Sequence, residues 1–243
     1  MKAAILAGGP GSRLYPITYY VPKCMIPIAG KPFLDYVIEY LKKHGVEEIV
    51  LLLSKNDYEV FQNHYGDGEK LNVRLSYSVA PRIGTAGALY AARKEFNETF
   101  IVYYGDVLTD FNMTEMIEFH RRKHASCTVA LTKSVPIDYG IGKTDAEGRL
   151  ISFQEKPVLE EYPVSMAVYI FEPEILKYCK PNRDIASDVI PTLIEKKLPI
   201  YGYVTDRPHY DIGSFKHLDI VRKILSEKKN RGSSFSKARI SSR

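Results

Sequence analysis

The chain has 243 residues, with 34 Lys and Arg against 29 Asp and Glu, 45% hydrophobic and 26% charged residues, a globular balance that excludes disordered, collagen-like and coiled-coil classes. The longest aliphatic run, Ile49 to Leu53, is far short of the ~20 residues that span a bilayer, and the apolar start meets Gly8-Gly9-Pro10-Gly11 too early for a signal peptide, so membrane and secreted readings are set aside. The net charge of +5 lies entirely in residues 226–243, where six cations face one anion, so the remaining body is neutral and offers no basic face for nucleic acid.

Lys2 to Ala7 reads as a buried strand ending in a Gly-rich loop. Pro32 to His44 reads as a helix: proline stands in its first turn, Phe33, Val37, Ile38 and Leu41 share a face, and Gly45 follows. The pattern then predicts a strand over Ile49–Leu53, a helix over Asp57–His64 and a strand over Val73–Val79. A helix over Ala86–Lys94 comes next, then a strand over Phe100–Tyr104 running into Gly105-Asp106. A helix over Met113–His124 and a strand over Cys127–Thr132 complete the alternation. Such alternation implies an α/β protein with a mainly parallel sheet and helices on both faces. Ligands of such sheets bind at the carboxyl ends of the strands, where the loops after Ala7 and Tyr104 lie.

After Pro136 the links shorten. Strands are predicted over Tyr139–Lys143, Arg149–Phe153 and Val164–Phe171, helices over Pro173–Tyr178 and Ala186–Lys196, a strand over Ile200–Val204 and a last helix over Phe215–Glu227. No stretch reads as a linker, so residues 1–230 are expected to form one domain. Within it, about 1–135 form a first half and 136–230 a second, and 231–243 form a basic, Ser-rich flexible tail. Cys24, Cys127 and Cys179 form no Cys-x-x-Cys pair, which excludes a zinc or disulfide framework and fits a reducing, cytoplasmic setting. His120 and His124 stand four apart on a helix, but Arg121, Arg122 and Lys123 between them would repel a cation, so this segment reads as a solvated basic face.

The segment with most chemistry is Leu6-Ala7-Gly8-Gly9-Pro10-Gly11-Ser12-Arg13-Leu14, followed by Pro16, Thr18, Pro22 and Lys23. Glycines directly after a strand let backbone N–H groups approach an anion closely, and Arg13 and Lys23 add cationic donors. The segment lacks the Gly-Lys-Ser/Thr of a P-loop, and Leu14 occupies the last position of a Gly-x-Gly-x-x-Gly pattern.

This segment, with Pro27-Ile28-Ala29-Gly30-Lys31-Pro32, closely resembles the signature of sugar-1-phosphate nucleotidylyltransferases. The likeness continues through Gly84-Thr85-Ala86-Gly87-Ala88-Leu89, Gly105-Asp106, Phe153-Gln154-Glu155-Lys156-Pro157 and Tyr210-Asp211-Ile212-Gly213-Ser214, over about residues 2–222. The resemblance implies a Rossmann-like three-layer fold without a C-terminal left-handed β-helix. It also implies a reaction in which a sugar 1-phosphate and a nucleoside triphosphate give a nucleotide-sugar and pyrophosphate with Mg²⁺.

On that resemblance, Arg13 and Lys23 are the cations on the triphosphate, and Asp106 with Asp211 holds the metal. Leu6, Gly8, Gly9, Gly11, Ser12, Gly84 and Thr85 bind the nucleotide; Tyr139, Gly140, Glu155, Lys156 and Ser165 bind the sugar phosphate. Members often carry Asn-Ala-Gly where this chain has Ser165-Met166-Ala167, and Gln or Glu upstream of Gly84 where it has Val79-Ala80-Pro81-Arg82. Arg82 there reads either as a surface arginine or as a residue within reach of the nucleotide. The Gly-Thr-Ala-Gly-Ala-Leu wording leans to GTP and mannose 1-phosphate. A glucose-1-phosphate thymidylyl- or uridylyltransferase and a catalytically silent regulatory subunit of the same fold stand beside it, and a homo-oligomer fits the resemblance.

Overall fold

The computed structural model describes residues 1–133, 135–136, 139–159 and 162–231. Seven strands form the central sheet: β1 (Lys2–Leu6), β2 (Glu48–Ser54), β3 (Arg74–Ala80), β4 (Phe100–Tyr104), β5 (Cys127–Thr132), β6 (Val164–Phe171) and β7 (Ile200–Thr205). Their spatial order is β7-β5-β6-β4-β1-β2-β3. β1 pairs in parallel with both β2 and β4, and β2 with β3. β6 runs antiparallel between β4 and β5, and β7 returns parallel to β5.

The sheet is buried on both sides because its apolar residues alternate between two cores. Ala3 and Ile5, Leu51 and Leu53, Ile101 and Tyr103 face one; Ala4, Leu52, Val102 and Phe171 face the other. The first core is covered by α1 (Phe33–Lys43), α2 (Tyr58–Tyr65), α4 (Met113–Arg122) and α6 (Phe215–Arg231). Phe33, Leu34, Val37, Ile38 and Leu41 of α1 are fully buried, each stabilising the fold by about 1.5–3 kcal/mol relative to exposure. The second core is covered by α3 (Thr85–Ala91), the turn Pro173–Tyr178 and α5 (Ile190–Glu195). The chain thus winds from β1 to β3 on one side and crosses on α3 to β4 on the other. The order reverses between β1 and β4, the place where doubly wound sheets bind ligands.

The predicted strands and long helices are present, with differences at their ends. Ala186–Lys196 begins as a wide turn over Ile185–Val189 before α5, and Pro173–Tyr178 is a tight 3-10 turn. Three further 3-10 turns, Ser12–Leu14, Ile17–Tyr19 and Lys23–Met25, wind the segment after β1. The ribbon of Val107–Thr109 with His209–Asp211 joins residues too far apart in sequence for periodicity to pair. His120 does not lie on a solvated face. Its ring is buried, Nδ1 is 2.8 Å from Thr128 Oγ1, and Nε2 is 3.2 Å from Glu172 Oε1; His124 is exposed. The flanking cations face solvent while His120 turns inward to the sheet, an orientation set by packing. The basic tail falls outside the described residues beyond residue 231. Among the described residues, no helix is long and apolar enough to cross a membrane.

Candidate functional site

At the β1/β4 switch point lies a cleft of about 430 Å³. Its walls include Leu6, Gly8, Gly9, Gly11, Ser12 and Arg13 on one side, with Lys23, Asp106, Gly84 and Thr85 around them. Ten residues singled out from the sequence therefore meet in one cavity. Leu6 is registered against Tyr104 on β4 and Leu52 on β2, so the loops leaving these strands share one edge of the sheet. Gly8 is required by close approach: a Cβ there would lie 2.7 Å from the Ser54 amide nitrogen. The following turn is tied by Thr18 Oγ1, which donates to Gly11 C=O at 2.9 Å.

Lys23 and Asp106 are in direct contact through Nζ and Oδ2, both partly buried. Ile212 N–H donates to Asp106 C=O at 3.0 Å, and Asp211 is registered opposite Val107, so Asp106, just before one strand of the ribbon, adjoins Asp211 at the end of the other. Burial alone would raise the Asp211 carboxyl. The Gly213 amide, the His217 ring and the Lys23 charge outweigh it and hold the carboxyl below the usual value. His217 Nδ1 lies 3.1 Å from Asp211 Oδ2, and because a carboxylate only accepts, this nitrogen carries the proton. Arg13 closes the group: its Nη2 lies 2.6 Å from where a Cβ on Gly213 would be. Arg13, Lys23 and Asp106 thus line one end of the cleft, and Asp211 lies outside the lining, next to it beside Gly213. Cys24 also lines it, but burial and then the Asp106 charge push its thiol far up, so it is inert as a nucleophile.

The Gly84 loop is held by the segment that precedes α5. Gly84 has φ +80°, and a Cβ there would meet Arg183 C=O at 2.3 Å. Ala86 N–H donates to that carbonyl at 3.0 Å, and Thr85 donates through N–H and Oγ1 to Asp184 Oδ1 at 3.0 and 2.9 Å. Asp184 lines the cleft and was not legible in the sequence, because 99 residues separate it from Thr85.

The second-half residues lie outside the lining of this cleft. Tyr139 is 78% exposed. Gly140 packs against Phe153 and Glu155: a Cβ there would be 2.2 Å from Phe153 Cζ and 2.9 Å from Glu155 Oε2. Lys156 has φ +45° at the end of the ribbon formed by Ile141–Thr144 and Leu150–Gln154. Ser165 begins a bulge in β6, where Ala167 takes φ +54° and its N–H donates to Ser165 Oγ at 3.3 Å. The structure joins Gly140 to Glu155 but does not bring Tyr139, Lys156 or Ser165 into the cleft.

Sheet order and cleft position define a Rossmann-like α/β protein with a cleft at the topological switch point. The chain matches the profile of the Nucleotidyl transferase family over residues 2–227, and it belongs to that family. It is 35% identical to the UTP–glucose-1-phosphate uridylyltransferase of Synechocystis sp. over 93% of this chain, and it spans 64% of that protein's length. It is 32% identical to the mannose-1-phosphate guanylyltransferase of Mycobacterium tuberculosis, over 96% of this chain and 68% of that one. Among solved structures, HddC from Yersinia pseudotuberculosis complexed with GMP-PN is similar at a TM-score of 0.71 and 27% identity, covering 92% of this chain and 99% of that chain.

Proposed function

We propose that the chain transfers a nucleotidyl group from a nucleoside triphosphate to a sugar 1-phosphate, releasing pyrophosphate. The observation that carries this reading is the convergence of the Gly8–Arg13 loop, Lys23 and Asp106 at one end of the cleft, with Asp211 adjoining it beside Gly213. A phosphate oxygen of the sugar phosphate attacks the α-phosphorus in line. The bond to the β-phosphate oxygen breaks, and pyrophosphate leaves with the electron pair. The step needs no proton transfer, so positioning and charge neutralisation supply the rate. Arg13 and Lys23 act on the triphosphate and the departing pyrophosphate. Leu6, Gly8, Gly9, Gly11, Ser12, Gly84 and Thr85 hold the nucleotide. Tyr139, Gly140, Glu155, Lys156 and Ser165 hold the sugar phosphate on the second half, residues 136–230.

Mg²⁺ fits the donor set. Asp106 and Asp211 offer hard carboxylate oxygens, and among the described residues no group of three or more His, Cys, Asp or Glu forms a closed protein cage. Such a pair suits an ion that keeps waters and shares substrate phosphates. When bound, the ion neutralises phosphate charge; Lys23 offsets Asp106 in its absence.

The guanylyltransferase relative and the GMP-PN complex of HddC favour GTP with mannose 1-phosphate; the Synechocystis relative favours UTP with glucose 1-phosphate as the second reading. The three free, buried cysteines fit a cytoplasmic setting. A pyrophosphate-release assay with Mg²⁺ over a panel of triphosphates and sugar 1-phosphates tests the proposal. Turnover is expected with at least one pair, best with GTP and mannose 1-phosphate. No turnover with any pair identifies a silent regulatory subunit instead.

A further inference from the structure

Asp211 ends the second strand of the Val107–Thr109 and His209–Asp211 ribbon, and the chain turns at once through Ile212 and Gly213 towards α6. Ser214 caps that helix: its C=O accepts Leu218 N–H at 2.8 Å, and its Oγ accepts His217 N–H at 3.3 Å. Leu218, Val221 and Leu225 recur at helical spacing and pack into the first core, with Val221 and Leu225 fully buried. This docking fixes the first turn of α6 beside the end of the ribbon, and His217 reaches back from it. Its Nδ1 donates to Asp211 Oδ2 at 3.1 Å, while Gly213 N–H donates to Asp211 Oδ1 at 2.5 Å. The His217 side chain is 44% exposed, so the bond to Asp211, rather than core packing, sets its orientation.

The two carboxylates are thus held by different devices. Asp106 is held by a charge, the Lys23 ammonium. Asp211 is held by one donor on each oxygen, a backbone amide from the turn and a ring nitrogen from α6. Two such bonds fix the carboxylate plane, and each oxygen keeps a further lone pair to offer. We propose that His217 is the positioning residue for Asp211, locking its carboxylate in the orientation that receives the divalent ion. Partners of this kind orient a metal-binding group, and losing one costs roughly 10–100-fold in metal affinity. The inference rests on the magnesium reading above and goes beyond it by naming the side chain that aims the ligand.

Mn²⁺ alone, titrated into the full chain with the free ion followed by electron paramagnetic resonance, tests it. Wild type is expected to bind the ion, and Asp211→Asn to lose it. His217→Phe keeps a ring but has no donor, and it is expected to weaken Mn²⁺ binding about tenfold or more. His217→Asn places an amide N–H near the position of Nδ1 and is expected to recover most of that loss. A merely structural role would give the opposite order, because phenylalanine preserves the ring's packing better than asparagine does. Wild-type Mn²⁺ affinity in His217→Phe, or an equal loss in both His217 variants, overturns the inference while Asp211 keeps its metal role. Unchanged affinity in Asp211→Asn, or no binding by wild type, overturns the metal reading together with the inference. Should His217→Phe fail to fold, His217→Ala takes its place in the comparison with His217→Asn.

Discussion

Lys23 touches Asp106, and its charge also lowers the Asp211 carboxyl, so one ammonium offsets two carboxylates before any substrate arrives. Asp106→Asn keeps the side chain's size and removes its charge. It is expected to abolish Mg²⁺-dependent turnover with the melting temperature little changed; wild-type activity would remove the metal role. Losing a preorganised charge that stabilises the transition state costs roughly 10²–10³ in kcat, and Lys23→Ala is expected to fall in that range. Lys156 lies just beyond the Leu150–Gln154 strand of the second-half ribbon, outside the lining of the cleft. Lys156→Ala is therefore expected to raise the KM for sugar phosphate far more than the KM for nucleotide, and equal effects would contradict its placement. At this scale the sequence reveals residues whose chemistry comes from local context, such as Gly8, Arg13 and Lys23. It conceals those whose role depends on a distant partner. Asp184 serves Thr85 from a segment 99 residues away, and His120 faces Thr128 and Glu172 from among three exposed cations.

Among the elements, the loop entering α3 is the most constrained at the cleft. Its backbone bonds to Asn182–Arg183, and Asp184 satisfies the Thr85 amide and hydroxyl. Replacing Gly84 with alanine adds a Cβ 2.3 Å from Arg183 C=O at a φ of +80°, so strain and the loss of the Ala86 bond act together. A non-glycine residue forced into such a conformation costs about 1–3 kcal/mol. Gly84→Ala is expected to lower the melting temperature by roughly 3–10 °C, since each kcal/mol moves a chain of this size by about 2–4 °C, and to raise the KM for nucleotide. A melting curve and a KM that both match wild type would show that the two loops are not coupled. The strands and α1 were legible because hydrophobic period and caps specify them locally. The Val107–Thr109 and His209–Asp211 ribbon was not, since its hydrogen bonds join segments about a hundred residues apart. The β6 bulge at Ser165–Ala167 likewise depends on its pairing with β5.

For the whole molecule, strand–helix alternation announced a doubly wound sheet. It did not show that β6 inserts antiparallel between β4 and β5, because strand order is a long-range choice that periodicity does not encode. Composition located the net charge outside the cleft, but the titration behaviour follows from burial. His44, His120 and His209, half of the chain's six histidines, are each lowered from 6.5 mainly by burial; at His120 this outweighs the opposing pull of Glu172. In the unfolded chain these rings take up protons as pH falls through about 6.5, while in the folded chain they resist until lower pH. The unfolded state therefore binds more protons just below 6.5, and folding stability falls as pH drops through that window. Asp211 acts separately and later: its depressed folded value gives stability that is present above the ordinary carboxylate range and is lost only as pH falls through the folded value. The denaturant midpoint is accordingly expected to decline between about pH 7.5 and about pH 5.5, before carboxylates titrate. In His120→Gln the slope over that interval is expected to be shallower, although the variant itself is less stable at neutral pH because Thr128 and Glu172 lose a partner. A midpoint constant across the interval in the wild-type protein would show that these rings titrate alike folded and unfolded, and burial would then not govern their protonation.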